Sequence, residues 1–147
     1  MSLRLIRNFI KQTNESKTLH LEASICLFLA KLLVVSLPFK KLAPKLGIHG
    51  KESIDNLSDE DYRTVKQLSK AITAVSRNVP WSSKCLDCAF AAKLMLRRRK
   101  ISNTLYLGVA KDEQGKMIAH AWVRTGEFYI TGGEGSKKYA ETGKFSD

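Results

Sequence analysis

Two residues in this chain have the chemistry of a nucleophile and its base, and each stands in a telling pattern. Cys85 begins the run Cys85-Leu86-Asp87-Cys88-Ala89-Phe90-Ala91-Ala92, a helix apolar almost all round. A helix of that composition belongs in the middle of a fold. Further on, His120 lies in Ala119-His120-Ala121-Trp122-Val123, a strand-like run. The thiolate is the attacking form of cysteine, and at a pKa of about 8.5 a free thiol is mostly protonated at neutral pH. Amides at a helix N-terminus and a nearby imidazolium both stabilise the thiolate. Cys85 has the first by position, and His120 can supply the second. The same first-turn amides can point at a developing oxyanion. The competing reading of Cys85 is a buried thiol that only packs.

Cys85 and Cys88 also form a Cys-x-x-Cys pair. A redox pair of thioredoxin type expects a preceding strand, and here a helix precedes it. A structural zinc site expects four ligands, whereas Cys26, His20 and His49 are scattered upstream with no second tight pair. No metal or cofactor is therefore expected. Cys88, one turn into the helix, reads as core, and His20 and His49 as incidental.

A histidine base is held in its working orientation by a third polar group. A two-residue turn at Thr125-Gly126 would pair Arg124 with Glu127, Trp122 with Tyr129 and His120 with Thr131, and cross-strand partners share a face. Thr131 is then the residue best placed beside His120. Glu134, just beyond that strand, is the alternative if the chain folds back, and Glu127 is engaged by Arg124.

The elements that must position these residues follow from the rest of the pattern. The 147 residues fit one domain with a core of useful size, and the 44% hydrophobic content excludes a disordered chain. Three cysteines are too few for a disulfide scaffold, which favours a reducing, cytoplasmic setting. No signal peptide is expected, because the apolar run beginning at Ala23 follows charged residues and lacks a small-residue cleavage site. A net charge of +11 suits nucleic acid, anionic lipid or an acidic peptide. Without an aromatic RNA-binding motif, finger spacing or clear helix-turn-helix, nucleic acid is disfavoured.

Residues 3–10 read as a short amphipathic helix with Leu3, Ile6 and Ile10 in line and Leu5 and Phe9 on the same side. Packing on the next helix is favoured over membrane-surface contact. Asn14 to Thr18 reads as a turn, and Leu19 to Leu37 as a buried helix ended by Pro38. That segment falls short of the roughly 20 apolar residues a span requires, and peripheral membrane association is the secondary reading. Residues 47–56 read as a linker. Ser58 caps a helix whose Val65, Leu68, Ile72, Val75 and Val79 form one stripe. Ser82 or Ser83 is expected to cap the Cys85 helix, and Arg97 to Lys100 suit its negative end. Strands are expected at Thr104 to Ala110, Met117 to Arg124 and Glu127 to Thr131. Residues 136–147 read as a polar tail. The class is α+β, with helices first and a small antiparallel sheet after them.

Taken in order, Pro80-Trp81, Lys84-Cys85-Leu86, Leu94-Met95-Leu96-Arg97-Arg98, Leu107-Gly108-Val109, Ala119-His120-Ala121-Trp122-Val123 and Thr131-Gly132-Gly133 resemble the stand-alone transglutaminase-like leader peptidases of lasso-peptide biosynthesis. Leu32-Leu33, Pro38-Phe39 and Leu46-Gly47 extend the resemblance over most of the chain. It implies a single papain-like cysteine peptidase domain, with a helical part at 1–79, a catalytic core at 80–135 and the tail. Cys85 and His120 fall on the family's nucleophile and base. The implied activity is removal of the leader from a ribosomally made precursor. A small separate protein is expected to recognise the leader, and an ATP-dependent cyclase to act next. The family's third catalytic member is usually an aspartate after the histidine strand, and here no Asp stands between Asp112 and Asp147.

Overall fold

The computed structural model describes residues 3–11, 13–53 and 56–147. Its chain order is α1 (Leu3–Ile10), α2 (Asn14–Ser36), α3 (Phe39–Leu42), a 3-10 turn at Ala43–Leu46 and β1 (Ile48–His49). Then follow α4 (Asp59–Ser76), α5 (Cys85–Arg98), β2 (Thr104–Lys111), β3 (Met117–Thr125), β4 (Phe128–Thr131), a second 3-10 turn at Ser136–Lys138 and β5 (Ala140–Ser146). The five strands form one antiparallel sheet in the order β1-β5-β2-β3-β4. The helices and this sheet make the expected α+β fold.

Local chemistry sets the helix ends. The Thr13 hydroxyl accepts the Ser16 N–H at 3.2 Å, so α2 begins at Asn14 and the polar stretch read as a turn is helical. The Leu37 N–H reaches Leu33 O before Pro38 stops the helix. Ser58 caps α4 as expected, accepting the Asp61 N–H at 3.1 Å, and three acidic residues fill its positive first turn.

The core lies between helices and sheet. Val65, Leu68, Ile72 and Val75 of α4, Phe90, Met95 and Leu96 of α5, and Leu105, Val123 and Ile130 of the sheet share it with Ala23, Leu27 and Ala30 of α2. The expectation of a buried α2 holds for that one face only. Leu21, Ile25, Leu29, Leu32 and Val35 on another face are exposed. Leu3, Ile6 and Ile10 of α1 are likewise exposed. The side chains of Leu5 and Phe9 lie outside the described set.

Two polar ties clamp α5. At its end Arg99 donates from both terminal nitrogens to Glu22 of α2, each at 2.7 Å. The fully buried Lys93 reaches Asn103 Oδ1 at 2.6 Å and Asp147 Oδ2 at 3.1 Å. Arg97 donates to both oxygens of Asp147. Much of the basic run at 97–100 is thus engaged in ion pairs.

The segment read as a tail contains an internal strand. β5 lies between β1 and β2 and pairs with β2 from Thr104↔Ser146 to Val109↔Ala140, with a register shift between Leu107 and Gly108. Its place depends on backbone pairing, because only Phe145 and Ser146 of the strand are buried. The run Glu141-Thr142-Gly143-Lys144 consequently shows no apolar alternation to read.

Candidate active site

Cys85 is the first residue of α5 and is half-buried. The N-cap is Lys84, which corrects the expectation of Ser82 or Ser83. The Lys84 N–H donates to Asp87 Oδ2 at 2.9 Å, so the carboxylate two residues beyond Cys85 reaches back and closes the first turn. Asp87 is only 1% exposed and also holds Lys31 of α2, at 3.3 Å. Its second oxygen, Oδ1, has no partner among the described residues. Ser83 instead lies 3.6 Å from the Cys88 sulfur.

The three thiols are free. Burial pushes the Cys88 thiol above its ordinary value, against the lowering effect of Ser83. Burial, aided by the nearby Glu22 carboxylate, also raises Cys26. Both are poor sources of thiolate at neutral pH, which leaves Cys85 as the candidate by position.

Strand β3 carries His120 opposite Gly108 of β2. Its neighbours Ala121 and Val123 join the core under the helices. Alternation along the strand puts His120, Trp122 and Arg124 on the other face. There the rings of Tyr139, His120, Trp122 and Tyr106 form a stacked series, with centroid separations of 4.9, 5.8 and 5.6 Å. Gly108 makes room for it, since a Cβ there would meet the Trp122 ring at 2.8 Å. Arg124 and Glu52 close the series at Tyr106, where burial and the Glu52 carboxylate push the phenol up to about 12.

His120 Nε2 lies 2.8 Å from the carbonyl oxygen of Gly132. A carbonyl only accepts, so Nε2 carries the proton and neutral His120 keeps its lone pair on Nδ1. The orienting group is therefore a backbone carbonyl. Thr131 does not orient the ring: its hydroxyl is buried with no partner among the described residues, and it pairs with Val123 rather than His120. The hairpin turns at Gly126-Glu127, giving Thr125↔Phe128 and Arg124↔Tyr129, and a register shift between Val123 and Arg124 moves Thr131 further along. Glu134 is exposed, and no hydrogen bond joins it to His120 among the described residues. Backbone acceptors leave no trace in residue types. The one available signal was Thr131-Gly132-Gly133, where Gly132 has φ +66°.

α5 packs on the core side of β3, where Ala121 and Val123 point, whereas His120 is carried on the strand's other face. No hydrogen bond joins Cys85 to His120 among the described residues. No group of three His, Cys, Asp or Glu side chains suited to a metal occurs among those residues.

Residues 33–143 match the family model described as the transglutaminase-like superfamily. That range holds α5, the whole histidine hairpin and most of β5. No curated protein and no solved structure matches the chain significantly.

Proposed function

We propose that this chain, which belongs to the transglutaminase-like superfamily, is a cysteine peptidase that removes the leader from a lasso-peptide precursor. The superfamily domain is related to papain-like cysteine proteases. The finer assignment rests on the ordered motifs at 80–86, 94–98, 107–109, 119–123 and 131–133. The observation that carries the chemistry is the Nε2–H bond from His120 to Gly132 O, which leaves Nδ1 free to accept a proton.

In the reaction, His120 Nδ1 takes the Cys85 proton and the sulfur attacks the carbonyl carbon of the leader–core bond. The first-turn amides of α5 face the developing oxyanion. The carbon–nitrogen bond breaks, and His120 returns the proton to the core's leaving amine. The leader remains as a thioester on Cys85. His120 then takes a proton from water, whose oxygen displaces the sulfur and frees the leader as a carboxylic acid. The Gly132 carbonyl holds the tautomer and ring orientation that an aspartate usually provides, with less charge to stabilise the imidazolium. The reaction requires the thiol and Nδ1 to come within hydrogen-bond reach, so the His120 face of β3 and the start of α5 must rearrange toward each other when substrate is seated. The basic surface suits an acidic precursor or its recognition protein.

Mass spectrometry of a cognate precursor incubated with the chain and its recognition protein tests this reading. Cys85→Ala and His120→Ala should each abolish cleavage without unfolding the protein, and continued cleavage by Cys85→Ala would refute it. A second reading, a peptide-binding adaptor with weak or no turnover, is favoured by the absence of a carboxylate from the hydrogen bonds of His120 among the described residues. Iodoacetamide separates the two. A peptidase should be alkylated at Cys85 well below pH 8, ahead of Cys26 and Cys88, whose thiols burial has raised. An adaptor's Cys85 should react only under alkaline conditions.

A further inference from the structure

The outer face of α2 carries Leu21, Ile25, Phe28, Leu29, Leu32 and Val35, all at least 45% exposed. Their spacing keeps them on one side of the helix. From Leu21 to Val35 the stripe runs about 21 Å at 1.5 Å per residue. Phe39 of α3, beyond Pro38, is exposed as well. Such a row reaches several hundred Å², roughly the size at which apolar patches mark interaction sites.

Charge indicates the occupant. Between Ala23 and Lys51 the sequence has no acidic residue, while Lys31, Lys40, Lys41, Lys45 and Lys51 fall within it. Lys31 is held by Asp87, but Lys40, Lys41 and Lys45 are exposed at the stripe's C-terminal end. α1 has the same character: Leu3, Ile6 and Ile10 are exposed, Arg7 and Lys11 accompany them, and no Asp or Glu precedes Glu15. The cavities beside His20 and beside Tyr62 do not include the stripe. Apolar side chains flanked by lysines suit the boundary between headgroups and acyl chains of an anionic bilayer.

The length and hydropathy of α2 would also let it cross a membrane. Its inner face argues for lying on the surface instead. Ala23, Leu27 and Ala30 are buried in the domain core, and Glu22 and Lys31 are tied to α5. Spanning would break those ties, whereas surface docking needs only the outer face.

We infer that the chain docks on anionic lipid surfaces through the outer face of α2, assisted by the lysines at 40, 41 and 45. Phe28 in the stripe meets Trp81 edge-on at 5.8 Å, just before the Cys85 helix. Docking therefore sets the N-terminal end of α5 close to the bilayer.

Flotation of the 147-residue chain with phosphatidylcholine vesicles, with and without phosphatidylglycerol, tests this. The chain should float with the phosphatidylglycerol vesicles and be released by salt, which screens the lysine contacts. Leu32→Glu combined with Val35→Glu should weaken binding by roughly tenfold or more. Lys40→Glu with Lys41→Glu should weaken binding similarly on the anionic vesicles alone. Trp81 gives a readout without substitution, a blue shift of emission on those vesicles. A chain that stays soluble with phosphatidylglycerol vesicles overturns the inference. So does a dimer, or a complex with precursor peptide, that the stripe variant disrupts while vesicle binding is unchanged.

Discussion

Replacing Gly132 with alanine tests what orients His120. Gly132 has φ +66°, and an added Cβ would lie 2.5 Å from Ala121 O, 3.0 Å from Trp122 Cβ and 3.1 Å from His120 Nε2. The two closest atoms belong to the backbone and the root of a buried ring, so the Gly132 segment itself must move. The left-handed conformation costs an alanine about 1–2 kcal/mol. Relieving the clash adds to this, for a total destabilisation of about 2–4 kcal/mol. The larger effect should be kinetic. Moving the carbonyl releases the Nε2 proton and lets the ring turn, and a misplaced general base forfeits roughly 10²–10⁴ in rate. Gly115→Ala is the matched control, since Gly115 has φ +77° with nothing within 4 Å of the added atom. It carries the conformational strain without touching His120. Leader cleavage and nitrogen NMR of the His120 imidazole should both distinguish the variants, the Nε2–H tautomer persisting only in Gly115→Ala. Equal cleavage rates and the same tautomer in both variants would refute the role given to the carbonyl.

Thr131→Val removes a buried hydroxyl that has no partner among the described residues. Urea unfolding should show stability unchanged or raised by up to about 1 kcal/mol, with cleavage intact; lost cleavage would restore Thr131 to the site. Lys93 gives a signature in pH. Burial lowers it from 10.5 to about 8, against the raising pull of Asp147. Between those values the unfolded chain binds more protons, so this residue's contribution to stability rises with pH, by at most about 3 kcal/mol. Lys93→Met should remove that rise relative to the parent protein when unfolding is compared across the window. Parallel pH profiles for the two proteins would show that Lys93 is not buried as described.

The α+β class, the stripe of α4, the position of α5 and the histidine hairpin were legible in the sequence because each depends on neighbours along the chain. Ser58 announces a helix through a bond spanning three residues, and the alternation at Ala119 to Val123 is local to one strand. The Gly132 carbonyl was not legible, because every residue has a carbonyl and only the register of β3 and β4 says which one meets His120. A one-residue displacement of the turn and a bulge were enough to carry Thr131 away from the ring. β5 was hidden for a related reason: its pairing with β2 joins residues distant in sequence through backbone groups, which impose no side-chain pattern. Lys93 within an apolar helix has a partner 54 residues away in Asp147. Likewise the apolar content of α2 was plain, but which face meets the core was decided only where α4 and α5 pack against it. Composition and short-range spacing therefore determined which elements form and which residues can do chemistry. Strand register and helix packing, set by long-range backbone and core contacts, decided what holds His120 and which face of α2 meets solvent.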